Sequence, residues 1–154
     1  MYIICILLSS GIFMRLTKYS DYALRTLIYL ALADRICTIQ EVADSYSIPK
    51  NHLIKVVNQL ASAGFIDSTR GKGGGIQLAA LPAQINLGEV LRETEQNFEL
   101  VECFSVENNQ CVLSPQCKLA HLLSDALNNF LYVFDQQTLA DVVAPKMKPL
   151  VKLK

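Results

Sequence analysis

The sequence predicts a mainly α-helical fold that carries one small β-hairpin, and three observations support this prediction. Apolar residues recur at helical spacing early in the chain and again after Pro115. Two short runs of β type flank the stretch RGKGGG. Hydrophobic residues make up 51% of the 154-residue chain and charged residues only 18%, so a packed core is readily built.

Periodicity and a capping signal define the first two helices. The first is expected from Thr17 to about Ala33, where leucine, isoleucine and alanine residues fall on one face. The second is expected to start at Ile39, because Thr38 and Glu41 form an S/T-x-x-E capping box. In such a box each side chain bonds to the backbone N–H group of the other residue.

The third helix and the turn before it complete the pattern of a helix-turn-helix. Pro49 is expected at the first position of this helix, where its missing N–H group costs nothing. The helix runs over KNHLIKVVNQLASA and is expected to stop at Gly64. An ordinary helical hairpin would have the same local pattern, so this stretch alone does not decide between the two.

The glycine-rich stretch favours the helix-turn-helix interpretation. In FIDSTRGKGGGIQLA, four glycines and two cations at 70–75 separate the two β-type runs. Exposed N–H groups and positive charges at such a tip can contact a phosphate backbone. The stretch lacks the GxxxxGK[ST] pattern of a nucleotide-binding loop, and a strand rather than a helix follows it. The sequence therefore predicts a winged helix-turn-helix.

Two more helices are expected in the second half of the chain. A short one starts after Asn86, which has Glu89 three residues later, and a long one opens at Ser114-Pro115. The long helix has a wide apolar stripe formed by Leu119, Leu122, Leu123, Ala126, Leu127, Phe130, Leu131 and Phe134. This stripe can pack against its own domain, or it can form the interface between two copies of the chain. A protein that binds two DNA half-sites needs such a dimer. We favour the homodimer.

Charge and cysteine usage narrow the class of protein. Lys+Arg and Asp+Glu are equal at 14 each, but basic residues predominate in the first half of the chain and acidic residues in the second. A polyanion would therefore meet the first half. The odd number of cysteines, five, favours reduced thiols in the cytoplasm over a secreted disulfide framework. No Ser–His–Asp or H-x-E arrangement is present, so we expect no enzyme.

A polar loop, CFSVENNQCVLSPQC, holds Cys103, Cys111 and Cys117. Cys117 is expected in the first turn of the long helix, where the helix dipole favours a thiolate. Zinc usually takes C-x-x-C pairs, which are absent, and the wider spacing suits an iron–sulfur cluster. Cysteines without a ligand role are the simpler alternative. His121 is either a fourth ligand or a solvated helix residue, and Cys37 is expected to be a small buried residue.

These stretches together carry a resemblance to a known family. The segments MRLTKYSDYALRTLIYLA, IPKNHLIKVVNQLASAGF and RGKGGGIQL, with the three-cysteine loop, resemble the NsrR family of nitric-oxide-sensitive winged-helix repressors. A wider family also includes the IscR regulators of cluster assembly. The resemblance extends from Met14 to about Val143 and implies a homodimeric repressor that binds a palindromic promoter site. Nitrosylation of its iron–sulfur cluster would release the nitric-oxide stress genes.

The resemblance also implies the cluster ligands. Cys103, Cys111 and Cys117 of one subunit would hold a [2Fe–2S] or [4Fe–4S] cluster, and Asp21 of the partner subunit would complete it. IscR-like proteins instead use a histidine three residues after the last cysteine, where this chain has Ala120. The C-x7-C spacing is longer than is typical of the family. An IscR-like sensor of iron–sulfur or oxygen status, and a metal-free thiol redox switch, are the alternatives.

The expected DNA contacts lie in the first half of the chain. The third helix would enter the major groove, while the first helix and the hairpin tip would meet the backbone or the minor groove. The candidate residues are Arg25, Lys50, Asn51, His52, Lys55, Arg70, Lys72, Gly74 and Gly75.

The chain divides into four expected segments. Residues 1–13 lack the basic residues of a signal peptide and are too short to span a bilayer, so we expect an upstream start-site extension before Met14. Residues 14–80 are expected to form the winged helix-turn-helix DNA-binding domain. Residues 81–143 would supply the cluster-binding loop and the dimerisation helix, and residues 144–154 a flexible tail.

Overall fold

The computed structural model describes residues 15–95, 98–105, 107–151 and 153. The expectations for residues 1–13 and for Met14 lie outside these residues. The main elements of the described chain, in order, are α1 (Lys18–Ala33), α2 (Ile39–Tyr46), α3 (Lys50–Ser62), β1 (Ile66–Thr69), β2 (Gly75–Leu78), α4 (Leu87–Thr94), α5 (Lys118–Asp135) and α6 (Leu139–Val142). Short 3-10 turns occur at Pro82–Gln84, Glu102–Phe104, Ser114–Gln116 and Pro145–Leu150.

Local signals set the ends of α1 and α2. The Thr17 hydroxyl accepts a hydrogen bond from the N–H group of Ser20, and α1 ends at Asp34, which adopts the left-handed conformation with φ of 51°. Thr38 caps α2 by accepting from the N–H group of Glu41 at 3.1 Å. Helix α2 therefore begins where the sequence predicts, and α1 begins one residue after Thr17, which serves as its N-cap.

The turn between α2 and α3 is tight. Ser47 takes the left-handed conformation with φ of 54°, and Ile48 then buries its side chain. Pro49 occupies the N-cap of α3, one position before the site expected from the sequence, because its extended backbone leads into the helix. Gly64 follows α3 with φ of 81°, as expected for a residue that ends a helix.

The wing is an antiparallel hairpin. Strand β1 pairs with β2 in a register that places Ile66 opposite Leu78 and Thr69 opposite Gly75. The tip between the strands contains Gly71 and Gly73, which have φ of 99° and 83°. The predicted winged helix-turn-helix, mainly α with a small β-hairpin and a long C-terminal helix, is confirmed.

The core lies between α1, α2, α3, α4 and the wing, and Leu139 of α6 and Val151 of the C-terminal segment also belong to it. Helix α1 packs on α3 and α4, and α2 packs on α3. The largest completely buried side chains include Tyr29, Leu27, Leu53, Leu60 and Ile76. Burial of each such side chain contributes about 1.5–3 kcal/mol, so this core fixes the position of the exposed face of α3.

Helix α5 is anchored at its C-terminal end. Arg92 of α4 forms a bidentate ion pair with Asp135, with Nη1–Oδ1 at 2.5 Å and Nη2–Oδ2 at 2.9 Å. The Asn86 side chain caps α4 and donates to the Asp135 carbonyl at 2.7 Å. A Cβ atom at Gly88 would overlap the Asp135 carboxylate, so the glycine permits the close approach. The end of α5 is therefore held against α4.

Two segments differ from the sequence predictions. Cys117 does not lie in the first turn of α5: Ser114–Gln116 form a separate 3-10 turn, and Cys117 is the extended N-cap residue of the helix. Residues 144–154 were expected to form a flexible tail, whereas Pro145–Leu150 form a 3-10 turn and Val151 is buried. The tail carries the apolar side chains of Met147 and Val151, which pack on the core.

Candidate DNA-binding surface and cysteine loop

The N-terminal half of α3 presents a polar surface to solvent. Its buried positions Leu53, Val56, Val57 and Leu60 face the core, and this leaves the opposite face outside. The Tyr19 hydroxyl donates to the Lys55 carbonyl at 2.9 Å and links α3 to α1. The four residues predicted to read DNA from this helix are all exposed: Lys50, Asn51, His52 and Lys55.

The wing supplies two further exposed cations, Arg70 and Lys72. They flank Gly71 at the tip, where a Cβ atom would meet nothing within 4 Å. The tip of the wing is therefore open to solvent at this position.

Gly74 and Gly75 have a structural role that the sequence alone did not reveal. Both are half-buried. A Cβ atom at Gly74 would overlap the carbonyl of Thr69, and one at Gly75 would overlap the carbonyl of Cys37. These glycines are needed because the backbone passes close by, whether or not they also meet DNA.

Asp21 and Arg25 form an ion pair on α1. The Arg25 Nε donates to Asp21 Oδ1 at 2.8 Å, and Nη2 lies 2.8 Å from Oδ2. The side chains are 46% exposed for Arg25 and 42% for Asp21. The Arg25 guanidinium also lies over the ring of Tyr46 in α2, 6.0 Å from its centroid. The proposed cluster ligand and a proposed DNA contact therefore share one charge pair.

A partly buried ionic cluster behind the wing, in which Glu41 is buried and Arg35 is exposed, was not predicted. The Glu41 carboxylate accepts from Arg35 Nη2 at 2.5 Å and from the Tyr29 hydroxyl at 2.9 Å. The Arg35 hydrogen bond holds the pKa of Glu41 below its ordinary value. Burial raises the pKa of Tyr29 and of Cys37 above their ordinary values. Arg35 and Glu41 are six positions apart across a turn, so helical spacing gives no signal for this contact.

The cysteine loop has three half-buried free thiols, Cys103, Cys111 and Cys117. Cys103 lies within the Glu102–Phe104 turn, and the Glu102 carboxylate accepts from the N–H group of Gln110 at 2.7 Å. In the described part of the chain, no group of three or more His, Cys, Asp or Glu residues is placed to hold a metal ion. The loop of a single chain therefore carries three thiol donors, but they are not gathered at one point as the ligands of a metal ion would be.

His121 was considered as a fourth ligand, and Cys37 was expected to be a small buried residue. His121 is exposed on the first turn of α5, and its backbone N–H group donates to the Cys117 carbonyl at 3.4 Å. Cys37 is 1% exposed and lies behind the wing, as the sequence predicts for a small buried residue.

The residue that follows α4 is hydrogen-bonded to the start of α1. Glu95, which follows α4, accepts a hydrogen bond from the backbone N–H group of Thr17 at 2.8 Å and from its hydroxyl at 3.3 Å. Thr17 is the N-cap of α1, four positions before Asp21. A shift of the segment that follows α4 therefore acts directly on the start of α1.

Helix α5 leaves much apolar surface uncovered in a single chain. None of its residues is buried, and Leu119, Leu122 and Val133 are each at least 60% exposed. A groove of about 400 Å³ runs along it, lined in part by Leu16, Phe98, Leu123, Leu127, Phe130 and Phe134. An apolar face of this extent is typical of a protein–protein interface.

Comparison with known proteins identifies the family. The Rrf2 family, described as "Iron-dependent Transcriptional regulator", matches residues 16–145. The HTH-type transcriptional regulator NsrR of Bacillus licheniformis is 51% identical over 132 residues, which cover 84% of this chain and 92% of that protein. The HTH-type transcriptional regulator NsrR of Bacillus subtilis is 48% identical over 146 residues, which cover 92% of this chain and 99% of that protein.

A solved structure of a transcriptional regulator from Listeria innocua has the same fold, with a TM-score of 0.69 and 27% identity. The match covers 86% of this chain and 88% of that one. None of the helices in the described part of the chain combines the length and apolar character needed to cross a membrane. The relatives are transcriptional regulators and not enzymes, as the sequence predicts. The chain therefore belongs to the Rrf2 family of winged-helix transcriptional regulators, and within that family it is similar to the NsrR regulators.

Proposed function

We propose that this regulator is a cytoplasmic homodimeric repressor that binds an iron–sulfur cluster and senses nitric oxide through it. The observation that carries the proposal is the presence of three free thiols in one loop of a chain that is 48–51% identical to NsrR regulators. Cys103, Cys111 and Cys117 would be the thiolate ligands. Thiolates are the usual ligands of iron–sulfur clusters, so the donor set fits this group.

The fourth ligand would come from the other subunit. Within one chain, the described residues do not bring the three thiols together into a metal-binding group, with or without a carboxylate or a histidine. Asp21 of the partner subunit would close the site, because it is half-exposed on α1 and can be reached from outside its own chain. When bound, the cluster would supply iron that reacts with nitric oxide.

The exposed apolar face of α5 supports the dimer. Its leucines and Val133 would be covered by the same face of a second copy, as in a two-fold interface. Such a dimer would present two copies of α3 to the two halves of a palindromic operator.

In the proposed complex, α3 enters the major groove with Lys50, Asn51, His52 and Lys55. Arg70 and Lys72 of the wing contact the phosphate backbone or the minor groove, with Gly74 and Gly75 holding the wing base. Exposure supports the residues of α3 and the two wing cations as contacts, as does the charge of the cations, whereas Gly74 and Gly75 are half-buried. Arg25 contacts the backbone from α1, next to Asp21.

Two contacts of the chain can transmit the state of the loop to DNA. Asp21 holds Arg25 in a bidentate pair, so a carboxylate oxygen that moves to a metal ligand position changes what Arg25 can contact. Glu95, which lies between α4 and the loop, holds the N-terminus of α1. A change in the loop that displaces Glu95 would therefore act on α1, which packs on α3.

The test is anaerobic purification of the full-length protein, followed by absorbance and DNA-binding measurements with and without nitric oxide. We expect brown protein that binds a promoter fragment and releases it when the gas is added. A Cys117→Ala variant should be colourless and insensitive to nitric oxide, and a His121→Ala variant should behave like the wild type. Colourless wild-type protein with oxidant-dependent gel mobility would instead support the thiol switch.

A further inference from the structure

We propose that Arg35 and Glu41 are positioning residues for the wing. Their ion pair fixes the backbone of residues 35–37 against β2, and this sets the direction in which the wing presents Arg70 and Lys72. The inference rests on the proposed DNA contact of the wing and adds residues that do not themselves touch DNA.

The first step is the backbone contact at the base of the wing. The N–H group of Cys37 donates to the Ile76 carbonyl at 2.9 Å, and the N–H group of Ile76 donates to the Cys37 carbonyl at 2.8 Å. Residue 37 therefore acts as a one-residue third strand beside β2. A Cβ atom at Gly75 would overlap this same carbonyl and the Ile36 side chain.

The second step is the side chain that holds this segment. Arg35 Nη1 donates to the Ile36 carbonyl at 3.1 Å and contacts the Cys37 sulfur at 3.3 Å. The same guanidinium reaches both oxygens of Glu41, at 2.5 Å and 3.3 Å. One planar group therefore links the segment beside the wing to α2.

The third step is the rigidity of the anchor. Glu41 is only 9% exposed, and its carboxylate also accepts from the hydroxyl of the fully buried Tyr29 in α1. The Tyr29 ring packs edge-on against Tyr46, with centroids 6.1 Å apart. The Glu41 carboxylate is therefore held in place by α1 and α2. Its hydrogen bonds to Arg35 in turn fix the position of the guanidinium group.

The fourth step concerns the wing itself. A two-stranded hairpin is marginally stable alone, and the exposed glycines of this tip, Gly71 and Gly73, add no side-chain packing. Most of the wing's orientation must therefore come from its base. Loosening the Arg35–Glu41 pair should leave the core intact and allow the tip cations to move away from a phosphate.

The test is a double-mutant cycle on the anaerobically purified full-length protein. Binding to a fluorescein-labelled DNA duplex of mixed sequence is followed by anisotropy over a series of salt concentrations. The variants are Arg35→Lys, Glu41→Gln, the wing pair Arg70→Ala/Lys72→Ala, and each positioning variant combined with the wing pair. Arg35→Lys keeps the positive charge but loses the guanidinium group, whose two nitrogens bond to Glu41. The Arg35 side chain is 40% exposed, so we expect the variant to fold. Thermal midpoints serve as the control for folding.

We expect each positioning variant to weaken binding roughly tenfold. The slope of log affinity against log salt should become shallower by about 0.9 for each phosphate that the wing no longer neutralises. In the background that lacks Arg70 and Lys72, the same variants should have no further effect. An unchanged affinity, a stronger affinity, or a weakening that persists in that background would overturn the positioning role. If removing Arg70 and Lys72 alone leaves binding unchanged, the proposed wing contact fails, and with it the basis of this inference.

Discussion

The carboxylate of Asp21 and the guanidinium of Arg25 meet in a two-point ion pair on the exposed side of α1, with both contacts at 2.8 Å. Asp21, the proposed ligand of the partner subunit's cluster, therefore lies one helical turn from Arg25, a proposed DNA contact. A carboxylate oxygen committed to the partner's cluster would no longer be available to Arg25. This pair offers a short connection between the proposed cluster and DNA.

Replacing Asp21 by Ala should remove iron without unfolding the protein. Exposed pairs at i,i+4 contribute about 0.3–0.5 kcal/mol, so the thermal midpoint of the metal-free protein should barely change. Iron per dimer, measured after anaerobic isolation and desalting, should fall well below that of the wild type. A His121→Ala variant is the control and should keep its iron. The reverse pattern would favour the IscR-like ligand set.

Replacing Gly75 by Ala should damage the base of the wing. The added methyl group would overlap the Cys37 carbonyl, and overpacking of this kind costs about 1–3 kcal/mol. Gly73→Ala is the matched control, because its Cβ atom meets nothing within 4 Å and only its positive φ, 83°, is unfavourable. Urea unfolding of both variants measures the difference. Equal stability losses would show that the close approach at Gly75 is unimportant.

The Glu41 carboxylate should make stability depend on pH. Arg35 holds the pKa of Glu41 below its ordinary value of 4.5. The stabilisation is therefore complete above 4.5 and is lost as the pH falls through the lower pKa of the folded state. Glu41→Gln should be less stable than the wild type at neutral pH, and the gap should shrink on acidification. The free energy of unfolding in urea, measured for both proteins at several pH values, checks this. A gap that stays constant with pH would contradict it.

Glu95 should stabilise the first turn of α1. Its carboxylate accepts from the N–H group and hydroxyl of Thr17, the N-cap residue of α1, and a hydrogen bond of this kind contributes about 0.5–1.5 kcal/mol. Glu95→Ala should therefore speed amide exchange in the first turn of α1, while α3 is unaffected. The neighbouring exposed Glu93→Ala is a suitable control for the lost charge. Faster exchange throughout the domain would indicate general destabilisation rather than loss of a cap.

Sequence reasoning was most successful where the signal is local. The caps at Thr38 and Asn86 and the glycine after α3 are set by residues within a few positions, so the helix ends follow from the sequence. The wing was predicted because its glycines and cations lie in one short stretch. The exposed face of α3 follows from the spacing of its apolar residues.

Contacts between distant residues escaped prediction. Arg92 and Asp135 are 43 positions apart, and nothing in either neighbourhood marks them as partners. Cys117 was placed in the wrong conformation because Ser114-Pro115 resembles a helix start, whereas the helix begins only at Lys118. The C-terminal segment was expected to be flexible, whereas it packs on α1 and the core. The composition of the segment alone does not reveal this packing.

The ligand set of the loop could not be derived from residue spacing alone. Three thiols in fifteen residues indicate a metal or cluster site, but a fourth ligand from a second chain leaves no pattern within one sequence. The role of Asp21 came from the family resemblance and remains a proposal.

Native mass spectrometry of the anaerobically isolated protein, before and after exposure to nitric oxide, is the most direct test of the central claim. It counts subunits, iron, sulfide and bound nitric oxide in the same particle. We expect a dimer with iron and sulfide in each subunit that takes up nitric oxide, at doses that also abolish promoter binding in a parallel assay. A dimer without iron that holds its promoter regardless of nitric oxide would contradict the account.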